Sequence, residues 1–485
     1  MKQHCNPVAL RQYLAGQWET GNGAPIASFA AAHPGQTVAN GTAADAGQVD
    51  QAFAAAAAAR GDWARTPMAT RAGYLKRAAS WLHERSGDIG AELSREEGKT
   101  LAEGIGEVSR AAQILDYYAG ESERQAGTVF HSPRPGEQIL VSHKPLGVLG
   151  IITPFNFPIA IPAWKIAPAL IYGNTVVFKP ASLVPLLAQR LVEAFDAAEL
   201  PAGVLNLVIG PGRLGDALMR HPQLAGVSFT GSTAVGRSLC ATAANRGIPV
   251  QAEMGGKNAA VVLADADLEL AVEQVLNGAF RSTGQKCTAT SRLILDQSIA
   301  EDFLARLRDR LDRWVTGDPL DPRVHMGPLV DEKSRILVDK GIQAALAAGA
   351  TETYRGKAPE GPGYMGPVIL ELPASHKPED NPAWREEFFA PVLTVVRVAG
   401  TDAAFASAED SEFGLSLALF TRDLATAIRA QEQLDVGILH VNSESAGADP
   451  HVPFGGAKAS GYGPNEQGAA AREFYTHTTT TYLRG

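Results

Sequence analysis

The chain has 485 residues, 45% of them hydrophobic and 20% charged, a balance that excludes a disordered or fibrous protein and, at this length, predicts two or more domains. Its 43 Lys and Arg against 52 Asp and Glu give a formal net charge of −9, which disfavours phosphate backbones and anionic lipid, so neither nucleic acid nor membrane is expected as a partner. Three cysteines, an opening without an apolar core of signal-peptide length, and no run of ~18 apolar residues predict a cytoplasmic setting without a disulfide framework.

Up to about residue 120 the pattern predicts mainly helices. The alanine run at 54–59 sits in VDQAFAAAAAAR, a strong helix former rather than a linker. RAGYLKRAASWLHERSGDIGAELSREEGKT places Tyr74, Leu75, Ala78, Ala79 and Leu82 on one helix face, and EVSRAAQILDYYAGES follows as a second helix. A Gly/Pro-rich segment then leads into QILVSHKPLG, extended chain bounded by turns. From Leu146 to Leu263 the short apolar runs VLGIIT, NTVVFKP, GVLNLVIG, AGVSFTGS and NAAVVL alternate with helical PAWKIAPALIYG, PLLAQRLVEAFDAA and TAVGRSLCATAAN. That alternation predicts an α/β fold with a parallel sheet covered on both faces. A second alternating region, from about Asp265 to Asn442, contains strand-like SRLILD and APVLTVVRV and helical LARLRDRLDRW and AAFASAED. The stretch from Gly468 ends in the Thr-rich FYTHTTTTYL, which predicts a strand that either reaches toward another subunit or closes the chain's own sheet.

Ligands on an open parallel sheet bind outside the carboxyl ends of its strands. Four strand ends here carry distinctive turns: TPFNFP, KPAS, GPG and FTGSTAVG. In the last, Gly231, Ser232 and Gly236 lie where a strand turns into a helix, whose free N–H groups suit a pyrophosphate. The spacing is not G-x-G-x-x-G, so taken alone a plain tight turn accounts for it better. Lys179 in FKPAS is a donor to ribose hydroxyls or a solvated surface lysine. Cys287 in STGQKCTATSR has small, polar neighbours that leave its thiol accessible, whereas Cys240 in VGRSLCATAA reads as packed and structural, and Cys5 has no expected role. Glu253, followed by two glycines in QAEMGGK, is a general base tuned by burial or an ordinary surface glutamate. Asn156 in PFNFP completes an oxyanion hole with the Cys287 N–H, or satisfies a Pro-rich turn. Glu387 in REEFFAPV binds a ribose or caps a turn. The histidines show no metal-ligand spacing, so no metal is expected.

PFNFP, FKPAS, FTGS, EMGGK, GQKC, EEFFAPV and PFGGAKASGYG occur together in the chain order of the aldehyde dehydrogenase superfamily, which the sequence resembles from LAGQW to FYTHTTTTYL. The resemblance implies a Rossmann-like NAD(P)-binding domain (1–124 and 146–254), an α/β catalytic domain carrying Cys287 (255–442) and a small β oligomerisation arm (125–145 and 468–485), in a homodimer or homotetramer. It implies aldehyde oxidation through a thioester on Cys287, with Asn156 at the oxyanion and Glu253 activating the hydrolytic water. Lys179 and Glu387 match positions that hold the two riboses, Ser232 matches a pyrophosphate contact, and Phe389 and Phe454 match residues near the nicotinamide end. Further implied cofactor contacts are Ile152, Thr153, Pro154 and Phe155 after one strand, Ala181, Ser182 and Gly212 at the next turns, and Phe229, Thr230, Gly231, Val235, Met254 and Gly255 beyond.

Two departures from the family pattern stand out. Ser182 replaces a Glu that many NAD-preferring relatives place on the adenosine ribose, so NADP is expected to be accepted beside NAD or preferred to it. Met254 stands where Leu is commoner, a volume-conserving swap. Around PFNFPIAIPAWKIAPALIYGNTVVFKPA and FRSTGQKCTATSR the chain looks most like α-ketoglutaric semialdehyde (2,5-dioxopentanoate) dehydrogenases. Arg281 matches an arginine that holds the distal carboxylate in succinic semialdehyde dehydrogenases, which have a second arginine where this chain has Trp164. Arg110 offers another positive charge, and Phe157, Ser445 and Phe454 complete the implied substrate pocket. A guanidinium forks onto a carboxylate, sulfonate or phosphonate alike, so succinic semialdehyde or another aldehyde remains an alternative, and helix-surface ion pairs are the plain alternative for both arginines. A CoA-acylating enzyme and an inactive binding protein are the rival functions; Glu253 argues for hydrolysis.

Overall fold

The computed structural model describes residues 6–373 and 378–485, so Cys5 lies outside the described residues. The first 42 residues correct the helical expectation, for they contain five strands: Val8–Leu10, Gln12–Leu14, Gln17–Glu19, Pro25–Ala30 and His33–Thr42. The second and third form a two-residue hairpin with Ala15 and Gly16 both at positive φ (51° and 80°). Such a turn is ordinarily signalled by Asn-Gly or Asp-Gly, a signal that Ala-Gly does not give. The helix Ala46–Arg65 then starts at an Asp45–Gln48 capping box and holds the alanine run, burying Ala52, Phe53 and Ala56. The single helix expected over 71–100 is two, Met68–Glu84 and Ser86–Glu97, separated at Arg85 (φ −112°, ψ 10°). The second ends at Gly98, whose φ of 103° suits only glycine, and Thr100 caps the helix Leu101–Ala119 by a box with Glu103.

Two large sheets carry the rest. In the first, Val250–Glu253, Leu224–Thr230, Val148–Ile152, Thr175–Lys179 and Leu205–Leu207 lie side by side and parallel, with antiparallel strands at both edges. The chain winds outward from Val148–Ile152 first one way and then the other, so the crevice of a doubly wound sheet opens at its carboxyl end. Alternate residues serve the two faces. Leu149, Ile151 and Phe178 pack with Ile166, Leu170 and Leu191, while Val148, Val177 and Val227 pack with Phe53, Leu218 and Leu239.

The second sheet has the order Thr351–Arg355, Val368–Glu371, Val392–Val398, Thr290–Asp296, Asn258–Val262, Ser416–Phe420 and Ile438–Val441, with only the first strand antiparallel. NAAVVL, grouped by its sequence with the first sheet, therefore belongs to the second. The chain changes sheets through Met254–Lys257, and the two glycines there make the change possible. A Cβ on Gly255 would lie 2.1 Å from the Glu387 carboxylate, and one on Gly256 would lie 2.8 Å from the Cys287 carbonyl oxygen. Three segments thus converge on backbone that has no room for a side chain.

The Thr-rich strand Thr476–Arg484 pairs antiparallel with Glu137–Pro145 over nine residues, and that strand pairs with Gly127–His131, giving a separate three-stranded sheet. Among the described residues no helix is long and apolar enough to cross a membrane.

Candidate active site

Cys287 follows a backbone reversal in which Ser282, Thr283 and Gly284 all have positive φ (52°, 55° and 66°). A β-branched residue in that region is strained and must be held there by its surroundings. Ser282 donates through N and Oγ to Glu103 Oε1 (2.8 and 3.1 Å), Thr283 Oγ1 donates to Gly327 O (3.1 Å), and Gln285 Oε1 accepts from Val330 N (3.1 Å). Asn258 Nδ2 then fixes the Cys287 carbonyl at 2.7 Å. Cys287 lines a cavity of about 370 Å3 together with Phe157, Trp164 and Phe454. Among buried neighbours Cys287 is itself partly exposed, toward this cavity. Burial, reinforced by the charges of Glu387 and Glu253, pushes the thiol up to about 12.

Glu253 is the last residue of a strand rather than part of an exposed turn, and its Oε2 accepts from Gly456 N at 3.2 Å. Burial pushes its carboxyl well above the usual carboxylate range; Glu466 adds to the shift and Lys165 opposes it. Lys165 is fully buried on the helix Ala160–Ile171, donates to Ser228 Oγ (2.9 Å) and pairs with Glu466. A second carboxyl and an ammonium therefore stand behind Glu253. The available sequence signal was a lysine inside an otherwise apolar helix, because a buried charge needs a partner; Glu466 lies in a stretch without a motif.

Asn156 is buried, and its side-chain Nδ2 donates to Gln285 O (2.9 Å), two residues before Cys287. Its backbone carbonyl accepts from Lys99 Nζ (2.7 Å), which pairs at 2.7 Å with Glu107 Oε2. Glu107 Oε1 in turn accepts from the N–H groups of Ile159 and Ala160 (3.1 and 3.2 Å), and Lys99 Nζ stands 3.9 Å from the Phe157 ring centre. One buried ion pair thus anchors the whole PFNFP turn. Burial alone would lower the Lys99 ammonium, but Glu107 and Glu97 outweigh it and the net shift is upward. Neither Lys99 nor Glu107 was singled out from the sequence.

Ile152, Thr153, Pro154 and Phe155 leave the first sheet at its crevice, next to Phe229, Thr230, Gly231 and Ser232. The Thr153 and Thr230 hydroxyls are buried and find no hydrogen-bond partner among the described residues. Ser232 begins the helix Thr233–Arg246 without a side-chain cap, leaving N–H groups at that end open, and Val235 is half exposed on its first turn. Gly236 lets this helix approach Met254, since a Cβ would lie 2.5 Å from the Met254 sulfur. Lys179 is buried, donates among the described residues only to Pro180 O (2.9 Å), and is pushed down to about 8 by burial. Ser182 Oγ donates to Gly210 O (2.9 Å), drawing Ala181 and Ser182 to the turn that holds Gly212. Glu387 accepts from Gly256 N (3.0 Å) and is raised to about 7 by burial, against the pull of that N–H and of Lys257. Phe389, at a φ of 52°, meets Phe155 edge-on at 5.8 Å. Orphaned hydroxyls, an uncapped helix start and a lysine with spare donors fit a dinucleotide.

Phe157, Trp164, Phe454, Arg110 and Arg281 all line the cavity. Ser445 does not, which corrects its expected substrate contact. Its hydroxyl is fully buried, donates to Thr288 O (2.7 Å) and meets Thr290 Oγ1 (2.8 Å), so it braces the wall whose inner face is Glu444 and Ala446. Arg281 lies 3.8 Å from Glu103, and Arg110 is hydrogen-bonded to Asp449 at 3.2 Å.

The aldehyde dehydrogenase family model matches residues 18–481. An alpha-ketoglutaric semialdehyde dehydrogenase of Bacillus subtilis is 41% identical over 454 residues, covering 92% of this chain and 91% of the relative. The crystal structure of an E. coli NADP dependent enzyme superposes with a TM-score of 0.94 at 33% identity, covering 99% of this chain and 98% of that one. Betaine aldehyde dehydrogenase of Staphylococcus aureus, in complex with NAD+, gives 0.93 at 30% identity over 98% and 94% of the two chains. With its cysteine, buried glutamate and asparagine gathered where the two sheets meet, the chain belongs to the aldehyde dehydrogenase family.

Proposed function

We propose that the chain oxidises an anionic semialdehyde to a carboxylic acid through a thioester on Cys287, with NADP or NAD as cofactor. The observation that carries this is the setting of Cys287: it lines a cavity that also holds guanidinium groups, Asn156 is bonded to the carbonyl two residues before it, and the Glu253 carboxyl is near enough to act on its thiol. The Cys287 thiol is neutral at rest, and Glu253 takes its proton once its own has passed to the buried Lys165–Glu466 pair behind it. The sulfur then bonds to the aldehyde carbon, and the charge that develops on oxygen falls to the Cys287 N–H and the second N–H of the Asn156 amide, whose first is held by Gln285 O. The bound dinucleotide supplies the acceptor for the hydride that leaves this carbon. Water opens the resulting thioester: Glu253 takes a water proton, the C–S bond breaks, and the acid departs. Lys165 and Glu466 give that proton a buried path away from Glu253. A base so placed supports water over coenzyme A as the acyl acceptor, and free-acid release measured with and without CoA tests this.

Use of NADP is supported by Ser182, which puts no carboxylate beside Lys179, and by Arg213, exposed at the start of the helix after GPG and engaged by no bond among the described residues. The kcat/KM ratio for the two cofactors tests it, and Ser182→Glu is expected to move that ratio toward NAD by about tenfold or more. Arg281 and Arg110 in the cavity, and the name of the B. subtilis relative, support an anionic substrate of the α-ketoglutaric semialdehyde kind. Arg281→Ala is expected to raise KM for a semialdehyde acid far more than for a neutral aldehyde of similar size; equal effects would defeat the anionic assignment. We further assign 1–124 and 146–254 to cofactor binding, 255–442 to catalysis, and 125–145 with 468–485 to an arm that joins copies of the chain. Free Cys240 and Cys287 support a cytoplasmic setting.

A further inference from the structure

Four cations line the cavity: Lys99, Arg110, Arg281 and Lys286. They differ in how fully their donors are used. Lys99 is taken up by Glu107 and the Asn156 carbonyl, both at 2.7 Å. Arg110 is 40% exposed and hydrogen-bonded to Asp449. Lys286 is only 7% exposed, and its three N–H donors find a single hydrogen bond, to Asn277 O at 3.2 Å. Its acidic neighbour Glu444 stands at 4.0 Å, beyond hydrogen-bond reach. Arg281 makes no hydrogen bond among the described residues, and its neighbour Glu103, at 3.8 Å, is already saturated: Oε1 accepts from Ser282 N and Oγ, and Oε2 from Thr100 N and Oγ1. A buried charge left without hydrogen bonds is costly unless a ligand completes it. Lys286, buried and with donors to spare, therefore leaves an under-bonded positive charge beside the nucleophile, next to Arg281, which is 49% exposed.

We propose that Lys286 is a specificity-determining residue that, with Arg281, holds the distal carboxylate of the substrate. This rests on the anionic-semialdehyde function proposed above. Lys286 and Cys287 are consecutive, so their Cα atoms are ~3.8 Å apart, and both side chains face the same cavity. An aldehyde carbon on the sulfur and a carboxylate on the neighbouring ammonium are then joined by a short carbon chain, the geometry of a small ω-oxo acid. Burial lowers the Lys286 ammonium and Arg281 and Lys99 add repulsion, against the pull of Glu444 and Glu103; an anion bound at this ammonium offsets the burial and the repulsion.

The test compares glutaric semialdehyde with its methyl ester, a neutral isostere, in the parent enzyme and in Lys286→Gln. The glutamine keeps an N–H for Asn277 O and removes the charge, and the thermal midpoint verifies that the variant is folded. Expected is a parent preference for the acid that Lys286→Gln abolishes through a KM raised about tenfold or more for the acid, with the ester unchanged within about twofold; Lys286→Arg retains the preference. Acid and ester weakened in parallel, or an undiminished preference for the acid in Lys286→Gln, overturns the role of Lys286 while leaving an anionic substrate in place. A parent enzyme indifferent to the charge overturns both.

Discussion

At the scale of single residues, the site is a set of acids held away from their ordinary ionisation. Glu253 and Cys287 are both kept protonated by burial, so chemistry waits on a proton transfer that the pocket itself arranges. Glu253→Gln is expected to slow thioester formation and to block its hydrolysis more strongly, since both steps use this base. Turnover should fall about 10²- to 10⁴-fold, and mass spectrometry should find an acyl group accumulating on the Cys287 peptide; a variant that stalls without acylating would assign Glu253 to the first step alone. Glu387 shows the same physics in stability. Its carboxyl rises from the usual 4.5 to about 7 in the folded state, so the native state binds the extra proton between those values. That contribution is complete below 4.5 and is lost as pH climbs through about 7. Glu387→Gln, which cannot ionise, should therefore gain stability relative to the parent on going from about pH 5 to about pH 8, as read by denaturant titration at each pH. A constant difference between the two proteins would mean that Glu387 is not held protonated.

At the scale of elements, the PFNFP turn and the segment before Cys287 owe their positions to the helix Leu101–Ala119 and the residues just ahead of it. Glu107 holds one end of the turn, Lys99 its middle, and Glu103 the reversal at Ser282. Lys99→Met strands Glu107 in the interior and should cost roughly 3–5 kcal/mol, whereas Lys99→Met with Glu107→Gln should recover part of that. Both variants are expected to slow the acylation burst and leave cofactor affinity nearly unchanged, because the Asn156 amide loses its aim while the crevice is intact. The strand–helix alternation after residue 146 was legible in the sequence because its strands are uninterrupted apolar runs, such as VLGII and TVVF, set between amphipathic helices. The first three strands were not, since each is three residues long and the hairpin of the second and third turns on Ala-Gly, and neither was Val250–Glu253, whose sequence VQAE is half polar. Cys287, Glu253 and Asn156 were legible through motifs. Lys165 and Glu466 were not: 301 positions separate them, and only packing reveals the pair.

At the scale of the whole molecule, Glu253 ends one sheet, Cys287 precedes a strand of the other, and Met254–Lys257 is the seam between them. Gly255→Ala should disturb that seam, because its methyl group meets the Glu387 carboxylate, and a loss of cofactor affinity exceeding the loss of stability would locate the damage at the crevice. The three-stranded sheet poses a different problem. It buries little, and Val129 (68% exposed), Phe130 (53%) and Tyr482 (57%) show apolar surface along it. A sheet of this size with an unpaired edge is marginal alone and seeks a partner. We therefore expect light scattering to give a mass that is a multiple of the 51.1 kDa chain. Val129→Asp with Phe130→Asp should lower that mass toward one chain, since two carboxylates would then have to be desolvated at the contact. Cys287, Glu253 and Asn156 are held by hydrogen bonds of their own chain, so the dissociated variant should keep most of its kcat while its thermal midpoint falls. An unchanged mass would place the association on another face, and a kcat lost with the mass would show that the arm steadies the site as well as the assembly.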